Sequence, residues 1–285
     1  MSSDAGLSDV DKIEMQLLLE GIFLRYGYDF RGYSMPTVAR RLTQFTAEHG
    51  LGSFSDVTRM ALRDLSFFHR LLACFSVSVT SLFRDPVFYR ALQEKVIPAL
   101  RSWPHIKAWH AGCATGEEVY SHAILLKEAG LLERSTLYAT DISQAALDTG
   151  KAGIYSLPVI RKGIENYRTT GAANELSEHY HARYEAAIMH PDLRRRVMFA
   201  THNLAMDASF GEMQIIVCRN VLIYFNEELQ NQVLTLFLES LEYGGYLCLG
   251  DKESLTFSAV AEHFETVDEV ARIYKKKSGY GTTGY

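Results

Sequence analysis

From residue 106 to residue 276 the chain alternates short apolar runs with longer amphipathic ones, and this alternation limits the possible folds more than any other feature. IKAWHAG reads as a first strand and EEVYSHAILLKEAG as the helix after it. STLYATDIS is a second strand, with QAALDTGKAG as its helix. VMFATHNL, MQIIVCRNVLIYF and YLCLGD supply three more strands, with QNQVLTLFLESLEYGG as a helix between the last two. HFETVDEVARIYKKK closes the pattern as two strands around an acidic turn. Strands separated by helices need crossover connections, so neighbouring strands run parallel and helices cover both faces. The expected fold class is α/β, with a doubly wound, mainly parallel sheet. Between Ser156 and Arg196 the alternation breaks. That stretch is polar, helical at first, and AAIMHPDLRRRVMF then reads as a strand leading into another segment, so an insertion in the sheet is expected.

The residues before this region have a different period. IEMQLLLEGIFLRYG is an amphipathic helical run ending at Gly27. SMPTVARRLTQFTAEHG opens on Ser34 and Pro36, a cap-like start, and stops at Gly50. SFSDVTRMAL and DLSFFHRLLACF are two further helical segments, and PVFYRALQEKVIPALRSW is one more helix with Pro86 at its start. The expected division is a flexible tail over 1–10, an all-α domain over 11–75 and a junction over 76–90. A sheet domain follows over 91–277, with its insertion at about 157–198, and a flexible tail over 278–285.

A chain of 285 residues, 47% of them apolar, can bury a sizeable core. Its formal net charge of −5 lacks the basic surplus of a nucleic-acid binder. No apolar run approaches the ~20 residues of a membrane span. The polar start MSSDAGLSDVDK lacks the layout of a signal peptide. Cys74, Cys113, Cys218 and Cys248 are far apart and form no CxxC or His/Cys ligand cluster, so no metal is expected. A cytoplasmic protein with reduced thiols is the expectation.

Four segments carry candidate chemistry. In AWHAGCATGEEVYS a strand enters a turn from Gly112 to Gly116 and a helix opens after it. Glycine lets a ligand approach the backbone, and the helix start offers free N–H groups. Phosphate sites usually add Lys or Arg; here Glu117 and Glu118 follow, which suits a ligand carrying an ammonium group, such as the methionine end of S-adenosylmethionine. On this segment alone, complementing the helix dipole explains both acids equally well. Asp141 ends the second strand about thirty positions on, placed to bind ribose hydroxyls as a strand-end acid does; the alternative is a helix N-cap. In IIVCRNVLIYF an apolar strand is interrupted by Arg219 and Asn220 and resumes from Val221 to Phe225. A charge and an amide there mark the ligand-binding end of a parallel strand, with Tyr224 lining the same pocket. Pairing of Arg219 with a structural carboxylate is the second-ranked reading. In SVSVTSLFRDP, Thr80 and Arg84 have the spacing to share one face of a helical turn. By itself that segment supports only local pairing of Arg84 and Asp85.

Taken together the four segments resemble the chemotaxis-receptor methyltransferases, the CheR type. That family shows T-x-F-F-R-D after a helical domain, G-C-S-T-G-E-E-P-Y-S, A-T-D-I, an N-L pair and C-R-N-V-x-I-Y-F. This chain has TSLFRD, GCATGEEVYS, ATDIS, Asn203–Leu204 and CRNVLIYF, in that order, and the likeness runs from about Asp11 to Lys277. It departs from the pattern at Ser78, where Asn is usual, and at Leu82, Ala114 and Val119.

The resemblance implies a methyltransferase domain with a small antiparallel insertion, S-adenosylmethionine as cofactor and S-adenosylhomocysteine as product. It implies that Ser78, Thr80, Arg84, Gly112, Glu118, Asp141, Asn203, Leu204, Arg219 and Asn220 bind the cofactor. Glu118 would lie at its methionine end, Asp141 at its adenosine end, and Asn203 and Leu204 beside adenine. Arg84 and Tyr224 would lie nearest the transferred methyl. The implied substrates are glutamate carboxylates in the cytoplasmic domain of chemoreceptors; a monomer is expected, with no nucleic-acid partner and no insertion into a membrane. Arg40, Arg41, Arg59, Arg63 and Arg70 form a candidate docking face, a reading that ordinary solvated helix surface matches equally. In some members the insertion docks a receptor peptide. The alternatives are a methyltransferase for another protein or a small carboxylate, and a cofactor-binding regulator without turnover.

Overall fold

The computed structural model describes residues 7–75 and 80–278. They form two compact units: the described residues before position 77 join Asn203–Asp207 and Ile223–Val233 in the first, and the remainder forms the second.

The first unit is built on α1 (Asp9–Tyr26), α2 (Met35–Glu48), α3 (Phe54–Arg63) and α4 (Leu65–Phe75). Ser8 starts α1 with a capping box, its hydroxyl accepting from the Asp11 N–H while the Asp11 carboxylate accepts from the Ser8 N–H. Gly27, in the left-handed region at φ 76°, ends it. Met15, Leu18, Leu19 and Ile22 bury one face of α1 at the three-to-four spacing of a helix. Ser34 caps α2 by position only, with no side-chain hydrogen bond. The segment from residue 223 is stitched onto this unit by its backbone. Ser34 N–H donates to the Tyr224 carbonyl at 2.8 Å, and Asn226 N–H donates to the Gly32 carbonyl at 2.8 Å.

In the second unit, α5 (Pro86–Ala91), a π-helical turn over Leu92–Val96 and α6 (Ile97–Leu100) run on as the one helix expected there. The alternation follows: β1 (Ile106–Ala111), α7 (Glu117–Glu128), β2 (Ser135–Asp141), α8 (Gln144–Ala152), β3 (Ile154–Ser156) and α9 (Leu157–Thr169). After these come β4 (Tyr180–Arg183), β5 (Ala186–Met189), α10 (Pro191–Arg194), β6 (Val197–Thr201) and β7 (Met213–Cys218). Last are α11 (Glu227–Ser240), whose residues up to Val233 belong to the first unit, β8 (Leu241–Leu249), β9 (Phe264–Asp268) and β10 (Ile273–Lys276). The main sheet runs β6-β2-β1-β7-β8-β10-β9, parallel from β6 to β8 and antiparallel at β10 and β9. In the break between Ser156 and Arg196 lie β4 and β5, which with β3 just before it form a separate antiparallel sheet, β3-β5-β4. Strand order reverses between β1 and β7, the switch point at whose carboxyl end such sheets bind ligands.

Two expectations are corrected. The strand before Arg219 does not resume: β7 stops at Cys218, Asn220 turns the chain at φ 61°, and Leu222–Tyr224 is a 3-10 turn. β7 is buried along its whole length. The left-handed Asn220 breaks the extended backbone, and the N–H groups of Asn220, Val221 and Leu222, which a continued strand would give to its neighbours, go to the Glu253 carboxylate. LEYGG belongs to β8, not to the preceding helix. Gly244 there has φ 77°, and at Gly245 a Cβ would fall 3.2 Å from the Gln214 carbonyl on β7.

Candidate active site

β1 delivers the chain into the glycine turn. Gly112 has φ 77°, and its N–H donates to the Thr140 carbonyl at 2.8 Å, as the Cys113 N–H does at 2.9 Å. A Cβ on Gly112 would lie 2.5 Å from the Val221 side chain, so only glycine fits both the conformation and the space. Ala114 is also left-handed, at φ 49°, and its N–H donates to Asp141 Oδ2 at 2.9 Å. Asp141 Oδ1 accepts from the Ser143 N–H at 2.9 Å. One carboxylate thus ties the turn after β1 to the turn after β2. The N-cap of α8 is Ser143, whose hydroxyl accepts from the Ala146 N–H, so Asp141 is not a cap. Burial pushes the Asp141 carboxyl up from its usual range, opposed by the backbone donors of Ser143 and Ala114.

At the start of α7, Glu117 is buried and accepts from the Thr115 hydroxyl at 2.6 Å; burial raises its carboxyl. Glu118 accepts from Arg219 Nη1 at 3.1 Å and lies 3.4 Å from His110 Nδ1. Arg219 Nη2 donates to Asp85 Oδ2 at 2.7 Å, Nη1 reaches the Arg84 carbonyl at 3.5 Å, and the guanidinium sits 4.1 Å from the centre of the Phe88 ring. The carboxylate pairing ranked second for Arg219 is therefore present. Burial works against charge on both partners. For Glu118 the His110 hydrogen bond and the Arg219 charge outweigh it and hold the carboxyl below its usual range. For Arg219, Glu118, Tyr89 and Asp85 outweigh it and keep the guanidinium charged.

The turn after Arg219 is held by a residue that sequence reasoning missed. Glu253, 4% exposed, accepts the N–H groups of Asn220 at 3.0 Å, of Val221 and Leu222 at 2.8 Å each, and of Gly250 at 2.6 Å. The signal available was an acid within DKES just after the apolar run YLCLG, a weak one because such acids are usually solvated.

Thr80 and Arg84 do not share a helical turn. The chain there is irregular: Phe83 and Asp85 are left-handed at φ 53° and 59°, and the Phe83 N–H donates to the Ser121 hydroxyl at 2.9 Å. The Arg84 side chain is 39% exposed, with Nε 3.9 Å from Asp85 Oδ2. Thr80 is half-buried, and Ser78 lies outside the described residues. Phe83, Asp85, Ala114 and Asn220 all hold sparsely populated backbone conformations within the motif segments, as functional sites often do.

Arg84, Gly112, Glu118, Asp141, Arg219 and Asn220 belong to the second unit; Asn203, Leu204 and Tyr224 belong to the first. Asn203 Oδ1 accepts from the Ala205 N–H at 3.0 Å, and the Asn203 N–H donates to Asp207 at 2.7 Å. Leu204 is buried. Tyr224 is half-buried, with the Arg41 guanidinium 5.6 Å from its ring centre. Arg41 also donates to the Cys74 carbonyl at 2.6 Å, so it is built into this unit rather than offered to a partner; Arg40 is exposed.

The charge balance of the second unit's motif residues selects a ligand. Asp85, Glu117, Glu118 and Asp141 outnumber Arg84 and Arg219, and the turn from Gly112 to Glu118 carries no cation that would hold a phosphate. Such a cradle fits a cofactor with ammonium and sulfonium charges and ribose hydroxyls. Fold and site together are those of an S-adenosylmethionine-dependent methyltransferase. The family model described as "CheR methyltransferase, SAM binding domain" matches residues 78–272, and "CheR methyltransferase, all-alpha domain" matches residues 13–75. The chain belongs to the CheR methyltransferase family. It is 48% identical to "Putative methyltransferase Cher3" of Pseudomonas putida over 93% of this chain and 97% of that protein. It is 33% identical to "Chemotaxis protein methyltransferase 1" of Vibrio cholerae, over 81% of this chain and 84% of that protein. Among solved structures, the N-methyltransferase NodS from Bradyrhizobium japonicum covers 68% of this chain and 70% of its own, with 14% identity and a TM-score of 0.34, too slight a likeness to bear on function. No helix of the described residues is long and apolar enough to cross a membrane.

Proposed function

We propose that this chain methylates glutamate side chains in the cytoplasmic domain of bacterial chemoreceptors, forming methyl esters. The observation that carries this reading is the engagement of every acid at the site. Asp141 serves two backbone donors, Glu117 the Thr115 hydroxyl, and Glu118 and Asp85 the Arg219 guanidinium. None of these is set aside as a general base. That suits an acceptor that needs no deprotonation, and a glutamate carboxylate, with a reference pKa of about 4.3, is ionised near neutral pH. Relatives named chemotaxis protein methyltransferases support the same substrate class.

S-adenosylmethionine supplies a methyl group already activated by its sulfonium. In this reading Glu118 and the Gly112 turn hold its methionine end, Asp141 its ribose, and Asn203 and Leu204 its adenine. Ser78, Thr80 and Asn220 complete the binding set. Arg219 acts by holding Glu118 and Asp85. Arg84 orients the acceptor carboxylate through charge-assisted hydrogen bonds, and Tyr224 packs beside the reacting group. Alignment of this kind supplies on the order of 7–11 kcal/mol in favourable cases.

The test is to incubate the protein with methyl-labelled S-adenosylmethionine and a chemoreceptor cytoplasmic fragment. The expected product is receptor-bound label that mild alkali releases as methanol. Alkali-stable label would rule out an ester, and an unlabelled receptor alongside intact cofactor binding would point to another acceptor.

A further inference from the structure

Behind Glu118 lies a pair of histidines that the reading above does not use. His110 is on β1 and His122 on α7, each 1% exposed. Glu118 and His122 are four residues apart on α7, so both project from one helical face. His110 Nε2 lies 3.0 Å from His122 Nδ1, and His110 Nδ1 lies 3.4 Å from Glu118 Oε1. The other Glu118 oxygen, Oε2, is taken by Arg219. At the far end of this series His122 Nε2 is buried and has no partner among the described residues.

We infer that His110 is a positioning residue for Glu118, and that His122 fixes the tautomer in which His110 acts. The inference rests on the reading of Glu118 as the contact for the cofactor's ammonium end. The unpartnered atom orders the protons. A buried N–H left without an acceptor is rarer and costlier than a bare lone pair, so His122 Nε2 carries no proton. Its proton is then on Nδ1 and is donated to His110 Nε2, which leaves the His110 proton on Nδ1, donated to Glu118 Oε1. Burial, and then the facing His110, hold His122 far below the usual imidazole range, in keeping with a neutral ring.

This arrangement fixes both oxygens of Glu118, one through a neutral imidazole and one through Arg219. A second cation at position 110 would also fix the carboxylate, but it would cancel the charge that an ammonium group must find there. A neutral donor sets the geometry and leaves that charge in place.

The experiment measures S-adenosylhomocysteine affinity by calorimetry, with the ligand-free thermal midpoint recorded for each variant. Glu118→Gln tests the underlying reading and is expected to bind at least about tenfold more weakly than wild type. His110→Leu is expected to weaken binding about tenfold, equivalent to ~1.4 kcal/mol. His110→Asn, whose amide returns an N–H near the Nδ1 position, is expected to stay within about threefold of wild type, although a residue needed only for packing would not be rescued this way. If His110→Leu does not fold, His122→Leu reads the same link and is expected to bind about threefold more weakly. Wild-type affinity in His110→Leu, or in His122→Leu where the former does not fold, overturns the inference alone when Glu118→Gln has lost binding. Undiminished binding by Glu118→Gln overturns the reading of Glu118 and the inference with it.

Discussion

Arg219 and Glu118, 101 positions apart in sequence, share a hydrogen bond of 3.1 Å, and only 2% of the Arg219 side chain reaches solvent. The same guanidinium holds Asp85 at 2.7 Å. Removing it would leave a carboxylate largely buried without its counter-charge, a loss on the order of 3–5 kcal/mol. Arg219→Leu should therefore lower the urea midpoint sharply. Arg219→Lys should recover only part of the loss, because one ammonium cannot reproduce a planar fork serving two carboxylates. Equal stabilities for the lysine variant and wild type would show that the forked geometry is unimportant.

Gly112 makes a second, separable prediction. Alanine there meets two obstacles: φ of 77°, and a Cβ 2.5 Å from Val221. The first costs roughly 1–2 kcal/mol, and overpacking adds a further ~1–3 kcal/mol. Gly112→Ala combined with Val221→Ala should recover the packing part and retain the backbone part. Thermal melts of both single variants and the double variant check this; strict additivity would show that the two positions do not touch.

Glu253 supports the turn beyond Arg219 with one carboxylate serving four backbone donors. Gln offers one acceptor oxygen and turns an N–H₂ group toward N–H groups. Buried donors left unpaired cost ~1–3 kcal/mol each. Glu253→Gln should lose at least ~2 kcal/mol of stability and also weaken cofactor binding, since Asn220 and Arg219 are placed by this turn. A variant with wild-type melting and affinity would remove Glu253 from the site's support.

What the sequence made legible was local. The strand–helix alternation, the turn at Gly112 and Gly116 and the strand-end position of Asp141 each follow from a few adjacent residues. The pairing of Asp141 with Ala114 and the grip of Glu253 on residues 220–222 were not visible, because each joins the ends of neighbouring strands distant in sequence; the series His122–His110–Glu118 is closer in sequence, but it depends on how α7 packs back on β1. The same holds for Asn203–Asp207 and Ile223–Val233, which pack into the helical unit although they sit among the strands in sequence. Thr80 and Arg84 looked helical by spacing; left-handed residues at Phe83 and Asp85 break that period, and nothing in residue type signals them.

His122 gives the protein a pH dependence of definite sign. Its folded-state pKa lies far below the ordinary value of about 6.5, through burial and then His110. Above pH 6.5 both folded and unfolded states are neutral at this residue, and its full contribution to stability is present. As pH falls below 6.5 the unfolded chain takes up a proton that the folded chain refuses, costing up to ~1.4 kcal/mol per pH unit until the folded pKa is reached. His190, lowered by burial and then by His181, acts in the same direction. The carboxyls of Asp141 and Glu117, raised by burial, act oppositely. Urea midpoints should thus fall between pH 7 and pH 5.5, and His122→Leu should make that fall about 1 kcal/mol shallower. An unchanged slope would show that His122 protonates in the folded state.

Arg40 tests receptor docking more cleanly than the pair Arg40 and Arg41. Arg41 is bound to the Cys74 carbonyl and stacked near Tyr224, so reversing its charge would disturb its own unit. Arg40, Arg59, Arg63 and Arg70 are all exposed, and Arg59 lies 3.6 Å from Asp56. In this unit residues 9–29 carry five acids against Lys12 and Arg25, whereas residues 40–70 carry five arginines against Glu48, Asp56 and Asp64, a modest positive excess on the later helices. If an acidic receptor helix is steered by that excess, Arg40→Glu should raise the Michaelis constant for the receptor and leave S-adenosylhomocysteine affinity unchanged. The difference from wild type should shrink as salt rises, because the Debye length falls from about 10 Å at 0.1 M to about 3 Å at 1 M. Receptor methylation by both proteins across a salt series makes the comparison. Identical Michaelis constants and salt slopes would make Arg40 ordinary solvated surface and place docking on another face.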